Sequence, residues 1–147
     1  IFNGLIAWLL LRSRPDLGFG NIAGDIIATA LLLPFIVALI VIPLQRSKMN
    51  KGALQPINLG PDSSLQAFAD RFPSATFKAA LLFGLLGMLV IAPLTLIGFY
   101  LLGVQQVTPV NYAIFKGIWA GCMAGVLVIP MVLTALRAPA AVQSPVA

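Results

Sequence analysis

Three stretches of this chain carry no charged residue at all: 26–45, 79–115 and 117–136. A helix needs roughly 20 apolar residues to cross the hydrocarbon core of a bilayer. The first and third stretches each match one crossing. The second holds one crossing up to about Gly103, then a short polar connection, Gln105-Gln106-Val107-Thr108-Pro109. Thr108 is placed to cap the following helix, with Pro109 at its first position. The apolar run 1–11 reads as the second part of a further span, which the sequence enters partway and which closes at Arg12, Arg14 and Pro15. It lacks the basic leader and small-residue cleavage site of a signal peptide.

The expected fold is therefore all-α: a polytopic membrane bundle with four transmembrane helices at about 1–12, 24–44, 77–103 and 109–137, forming one domain over 1–137. Composition agrees. Only 9% of the 147 residues are charged and 60% are hydrophobic, whereas soluble domains carry roughly 25% charge. A transmembrane β-barrel would need alternating segments of about ten residues. The run Ala79-Ala80-Leu81-Leu82-Phe83-Gly84-Leu85-Leu86 does not alternate.

Basic residues set the expected orientation. Arg46, Lys48, Lys51, Arg71, Lys78 and Arg137 fall on one side, Arg12, Arg14 and Lys116 on the other. The connection 46–78 and both termini are expected in the cytoplasm. The net charge of +5 then matches anionic lipid headgroups, and no face mixes aromatic and basic residues as a nucleic-acid surface would. Within the long connection, residues 62–72 form a short amphipathic helix with Leu65, Phe68 and Phe72 on one face. Asp62 is its expected cap and Pro73 its stop. It is expected to lie at the membrane surface, as a tether packed on the bundle or as a docking helix. The Ala/Pro/Val-rich tail 138–147 is expected to be disordered.

The chemistry that is missing excludes several functions. There is no histidine, and the four acidic residues are all aspartates: Asp16, Asp25, Asp62 and Asp70. None falls at mid-span, so proton or ion relays, facing carboxylates for acid–base catalysis, and zinc or histidine-ligated haem sites lack candidates. No covalent or histidine-ligated cofactor is expected, while bound lipids or other hydrophobic molecules would need few polar partners. The single cysteine, Cys122, allows no intrachain disulfide and is expected as a small buried residue. Asp62, Asp70, Arg71 and Lys78 are the one cluster a surface enzyme could use, and Asp70-Arg71 is more simply a solvated pair.

Three features remain. Ala113, Gly117, Gly121 and Gly125 recur every four residues on the last span, a ridge suited to close helix contact. Its partner is either another helix of the chain, such as the third span through Ala80, Gly84 and Gly87, or a second subunit. Pro34, Pro93 and Pro130 each remove a backbone donor inside a span, which kinks the helix and frees the carbonyls of Ala30, Leu89 and Val126. Asp25, in the first turn of its span, and Lys116, about two turns into the last, lie at similar height. Lys116 either extends to the headgroups or pairs with Asp25.

The runs Phe2-Asn3-Gly4-Leu5-Ile6-Ala7-Trp8 and Gly24-Asp25-Ile26-Ile27-Ala28-Thr29-Ala30 with Pro34, and later Phe115-Lys116, resemble small bacterial four-span membrane proteins of unassigned function. The resemblance implies a bacterial inner membrane and brings no activity or functional residue. The expected function is a non-catalytic accessory or structural subunit, with lipids and other membrane subunits or a second copy as partners. The alternative is a small permease-like transporter for a hydrophobic or lipid-like molecule, possibly dimeric, with an apolar cavity near the prolines.

Overall fold

The structure is a computed structural model that describes residues 5–6, 8–9, 13, 15–57, 60 and 62–137. It is all-helical apart from one minimal strand pair. The elements are β1 (Leu17–Gly18), α1 (Phe19–Asn50), α2 (Ser64–Asp70), α3 (Thr76–Leu101), β2 (Gln106–Val107) and α4 (Pro109–Ala135). Three helices, α1, α3 and α4, are long and apolar enough to cross a membrane. At 1.5 Å per residue they reach about 40–48 Å, more than the roughly 30 Å of a hydrocarbon core. Leu5, Ile6, Trp8 and Leu9 are also helical. The remainder of the expected first span, with Arg12 and Arg14, and the tail 138–147 lie outside the described residues.

β1 and β2 pair antiparallel, Leu17 with Val107 and Gly18 with Gln106, and the Phe19 amide donates to the Gln105 carbonyl at 3.1 Å. Each strand leads directly into a long helix. The pairing places the starts of α1 and α4 side by side, and the two helices run parallel, since Ile22 and Ile26 share a cluster with Tyr112 and Met123 while Ala38 and Ile42 share one with Met131 and Ala135; α3 returns between their two ends. Thr108 does cap α4, its hydroxyl accepting from the Asn111 amide at 3.4 Å. α1 begins at Phe19 rather than near residue 24. Asp25 therefore sits in the second turn, not the first, and is too deep to rest on the helix dipole alone.

α1 is the central element and packs along both α3 and α4. At the strand end the core gathers Leu17, Ile22, Ile26, Ala30, Ala92, Tyr112 and Met123. At the α2 end it gathers Ala38, Ile42, Phe72, Ala79, Ala80, Phe83, Met131 and Ala135. Small residues let α3 approach closely. A Cβ built on Gly84 would lie 2.7 Å from the Leu31 carbonyl oxygen, and one on Gly87 would lie 2.0 Å from that of Ala30. Ala30 is the carbonyl that Pro34 leaves without its helical donor. Gly87 brings its Cα–H against that oxygen, a weak but apt replacement.

This corrects the expected partner of the glycine ridge. Gly84 and Gly87 serve the α1 contact, while Ala80 is buried in the cluster that also holds Met131 and Ala135 of α4. The buried stripe of α4 is Tyr112, Lys116, Ala120 and Met123. Ala113, Gly117 and Gly121 each follow a residue of that stripe, which turns them about 100° round the helix. Ala113 is buried and Gly117 half-buried, but Gly121 and Gly125 are exposed, and a Cβ on either meets nothing within 4 Å. Cys122 is also exposed, against the expectation of burial.

The prolines differ among themselves. Pro34 and Pro130 lie inside regular helix, and so does Pro43. Pro93 follows a π-helical turn over Gly87–Ile91 and stands at the start of the next α-helical segment, where a missing amide donor costs least. The short α2 also departs from expectation. Ser63 caps it, accepting from the Gln66 amide at 3.3 Å, in place of Asp62. Its buried residues are Gln66 and Ala69, while Leu65 and Phe68 are exposed. Of the three expected on one apolar face, only Phe72 enters the core, stacked on Phe83 at 4.3 Å.

Candidate functional site

The parallel start of α1 and α4 brings one acid and one base to the same level. Asp25 lies six residues beyond Phe19, and Lys116 seven beyond Pro109. Both are thus about 10 Å below the helix starts. Lys116 Nζ is 2.7 Å from Asp25 Oδ2 and donates to Oδ1 at 2.8 Å. Tyr112, one turn earlier on the same face of α4, donates its hydroxyl to Asp25 Oδ2 at 2.5 Å. Lys116 is 8% exposed and Tyr112 is 1% exposed. The lysine head is turned inward to the carboxylate, not outward to solvent or headgroups. Asp25 keeps 37% of its side chain exposed, so the carboxylate forms the open edge of the cluster. Ile22 and Ile26 of α1 are buried on either side of it in sequence.

An aromatic band adjoins the cluster. Phe115 packs edge-on to Phe99 of α3 at 4.8 Å and lies 6.3 Å from both Tyr112 and Trp119. The Trp119 indole donates to Thr95 Oγ1 at 3.0 Å, and Thr95 donates to the Ile91 carbonyl at 2.8 Å. Ile91 closes the π-helical turn, so this relay ties α4 to the irregular part of α3. Neither Tyr112 nor Trp119 was among the site residues expected from sequence. The spacing of four between Tyr112 and Lys116 was the available signal.

The cluster has the means to hold two helices in register. Both donors are spent on the one carboxylate, and among the described residues no three Cys, His, Asp or Glu side chains converge. The suggested surface cluster does not assemble either. Asp70 Oδ1 accepts from Gln66 at 2.9 Å, and among the described residues no ion pair joins Asp62, Asp70, Arg71 and Lys78.

Further round α4, a shallow apolar groove of about 470 Å³ opens between that helix and the helical residues Leu5 and Trp8. Val110, Ala113, Ile114, Gly117 and Ile118 form its other wall. It lies at the strand end, well away from Pro130, whereas the cavity expected from sequence was placed near the prolines. No family model, no curated protein and no solved structure matches this chain.

Proposed function

We propose that this chain is a non-catalytic integral membrane protein, an accessory or structural subunit that packs into a larger membrane assembly. The observation that carries this is the unoccupied helix face of α4, where Gly121 and Gly125 stand exposed with open space at each Cβ position. In lipid, apolar surface does not draw helices together, and close backbone approach does. The chain uses its other small-residue face, Gly84 and Gly87, internally, which leaves this second face for a helix from outside. The Asp25–Tyr112–Lys116 cluster supports the same reading, since its donors act to fix α1 against α4. In the orientation set by the basic residues, the α2 end lies in the cytoplasm of a bacterial inner membrane.

A permease-like role for a hydrophobic molecule is the second reading, and the apolar groove beside Ala113 and Gly117 favours it. The two separate in one experiment. Gly121→Leu and Gly125→Leu meet no neighbour within the chain, so they leave the subunit folded. Under the subunit reading they shift the native-gel migration of the protein in mild detergent from an assembly to the free chain. Unchanged migration, or a wild-type protein already monomeric with no partner, rejects it. A groove-filling Gly117→Leu that alone abolishes uptake of a lipophilic dye would support the permease.

A further inference from the structure

Two arginines converge at the α2 end of the bundle without an acid between them. Arg46, near the end of α1, donates from Nη1 to Thr76 Oγ1 at 3.1 Å. Arg137, just beyond α4, donates from Nη1 to the Asp70 carbonyl at 3.2 Å and from Nη2 to the Pro73 carbonyl at 3.4 Å. Its Nε also reaches the Thr134 carbonyl at 3.3 Å. The two guanidinium groups therefore bond to the segment 70–76 that carries the end of α2, the connection and the start of α3, and each lies within the field of the other.

Neither has a counter-charge. Lys116–Asp25 is the only ion pair among the described residues. Asp70, the nearest acid in sequence to the connection, directs Oδ1 to Gln66 and offers Arg137 only its backbone carbonyl. Arg46 keeps most of its donors unused. Thr76 opens α3, whose cap residue Ala75 supplies no side-chain acceptor and whose first turn has no acidic residue. The amides of that turn are donors still seeking an acceptor. Two guanidinium groups bonded to one seven-residue segment repel one another. An anion with several acceptor oxygens relieves that repulsion; Arg46, which donates only from Nη1, has donors left for a phosphate, while Arg137, whose three nitrogens already bond to carbonyls, adds its charge.

We propose that Arg46, Arg137 and the first turn of α3 form a binding site for a phosphate group, carried by an anionic phospholipid headgroup or by a soluble phosphate. The site stands at the ends of α1 and α4 and the start of α3, the level at which headgroup phosphates meet a membrane-crossing bundle. It is independent of which partner covers the glycine face.

The full chain in a neutral detergent supplies the test, with its thermal unfolding midpoint as readout. One arm adds phosphatidylglycerol against phosphatidylcholine. The other adds inorganic phosphate against chloride at matched ionic strength. A saturable rise with phosphatidylglycerol alone identifies the headgroup, and a rise with inorganic phosphate as well identifies a soluble ligand; either supports the site. Arg46→Gln then weakens the apparent affinity at least about tenfold, the loss of one charge-assisted contact, while Lys51→Gln, a loop lysine with the same charge change, leaves it unaltered. If Arg46→Gln does not fold, Arg46→Lys takes its place and weakens binding by a smaller factor. No rise with either probe overturns the proposal, and so does an equal loss in the Arg46 and Lys51 variants, which would show only diffuse attraction to basic charge.

Discussion

Replacing Lys116 with methionine removes one charge from the α1–α4 contact and keeps most of the side-chain volume. Lys116 is 8% exposed, and its ammonium contacts both oxygens of Asp25. Breaking a buried pair by deleting one partner costs about 3–5 kcal/mol, because the other charge is stranded. Asp25 is 37% exposed and keeps the Tyr112 hydroxyl, so it is partly resolvated, and the expected cost falls to about 2–3 kcal/mol. Asp25→Asn alone leaves the buried lysine without its counter-charge and costs a similar amount. The double variant Asp25→Asn/Lys116→Met leaves no stranded charge, so its loss is smaller than the sum of the singles, with a coupling of about 1–3 kcal/mol. Reversible unfolding in mixed micelles, followed by Trp fluorescence, measures all four corners of the cycle. Trp119 reports directly, because it lies one turn from Lys116 on α4. Additive losses, or a Lys116→Met protein as stable as the parent, would refute the view that this cluster fixes the two helices.

Two further predictions contrast positions that look alike in sequence. Gly87→Ala drives a methyl group to 2.0 Å from the Ala30 oxygen and forces α1 and α3 apart, at a cost of about 1–3 kcal/mol or more, while Gly125→Ala meets nothing and leaves the isolated subunit unchanged or stabilised by up to about 1 kcal/mol; chemical denaturation in micelles separates them. Phe72→Ala removes the ring stacked on Phe83, costs about 3–5 kcal/mol of local packing, and frees α2, so limited proteolysis cuts the α1–α3 connection faster while the long helices stay intact.

Much of this architecture was legible because bilayer thickness imposes a length and a composition together. The expected bounds of α3 and α4 fall within two residues of the observed ones, those of α1 within six, and the Thr108-Pro109 start of α4 was visible as a cap. Helix ends were less so: α1 runs from Phe19 to Asn50 because nothing in Gly20, Gly24 or Pro43 stops a helix whose neighbours cover it. Register between helices was not legible at all. Gly84 with Gly87 and Gly121 with Gly125 present similar spacings, yet one pair lies under α1 and the other faces outward. That choice is made by which side of α1 each helix occupies, which the β1–β2 pairing helps set through only four residues. For the same reason Asp25 and Lys116 could be placed at one height, but their contact, and the part of Tyr112 in it, required the parallel start of α1 and α4. For α2, period placed Leu65, Phe68 and Phe72 together but could not show that Phe72 alone enters the core, nor that Arg137 holds the adjoining backbone at Asp70 and Pro73.

The central claim is that the exposed glycine face of α4 receives another protein helix. Cys122 stands on that face beside Gly121, is exposed and is the chain's single cysteine, so a thiol-directed photo-crosslinker can be attached there without mutation. On illumination in native membranes, the account predicts one discrete adduct with a second copy or another membrane subunit, which disappears in Gly125→Leu. Adducts with lipid alone, together with an unchanged pattern in Gly125→Leu, would contradict it.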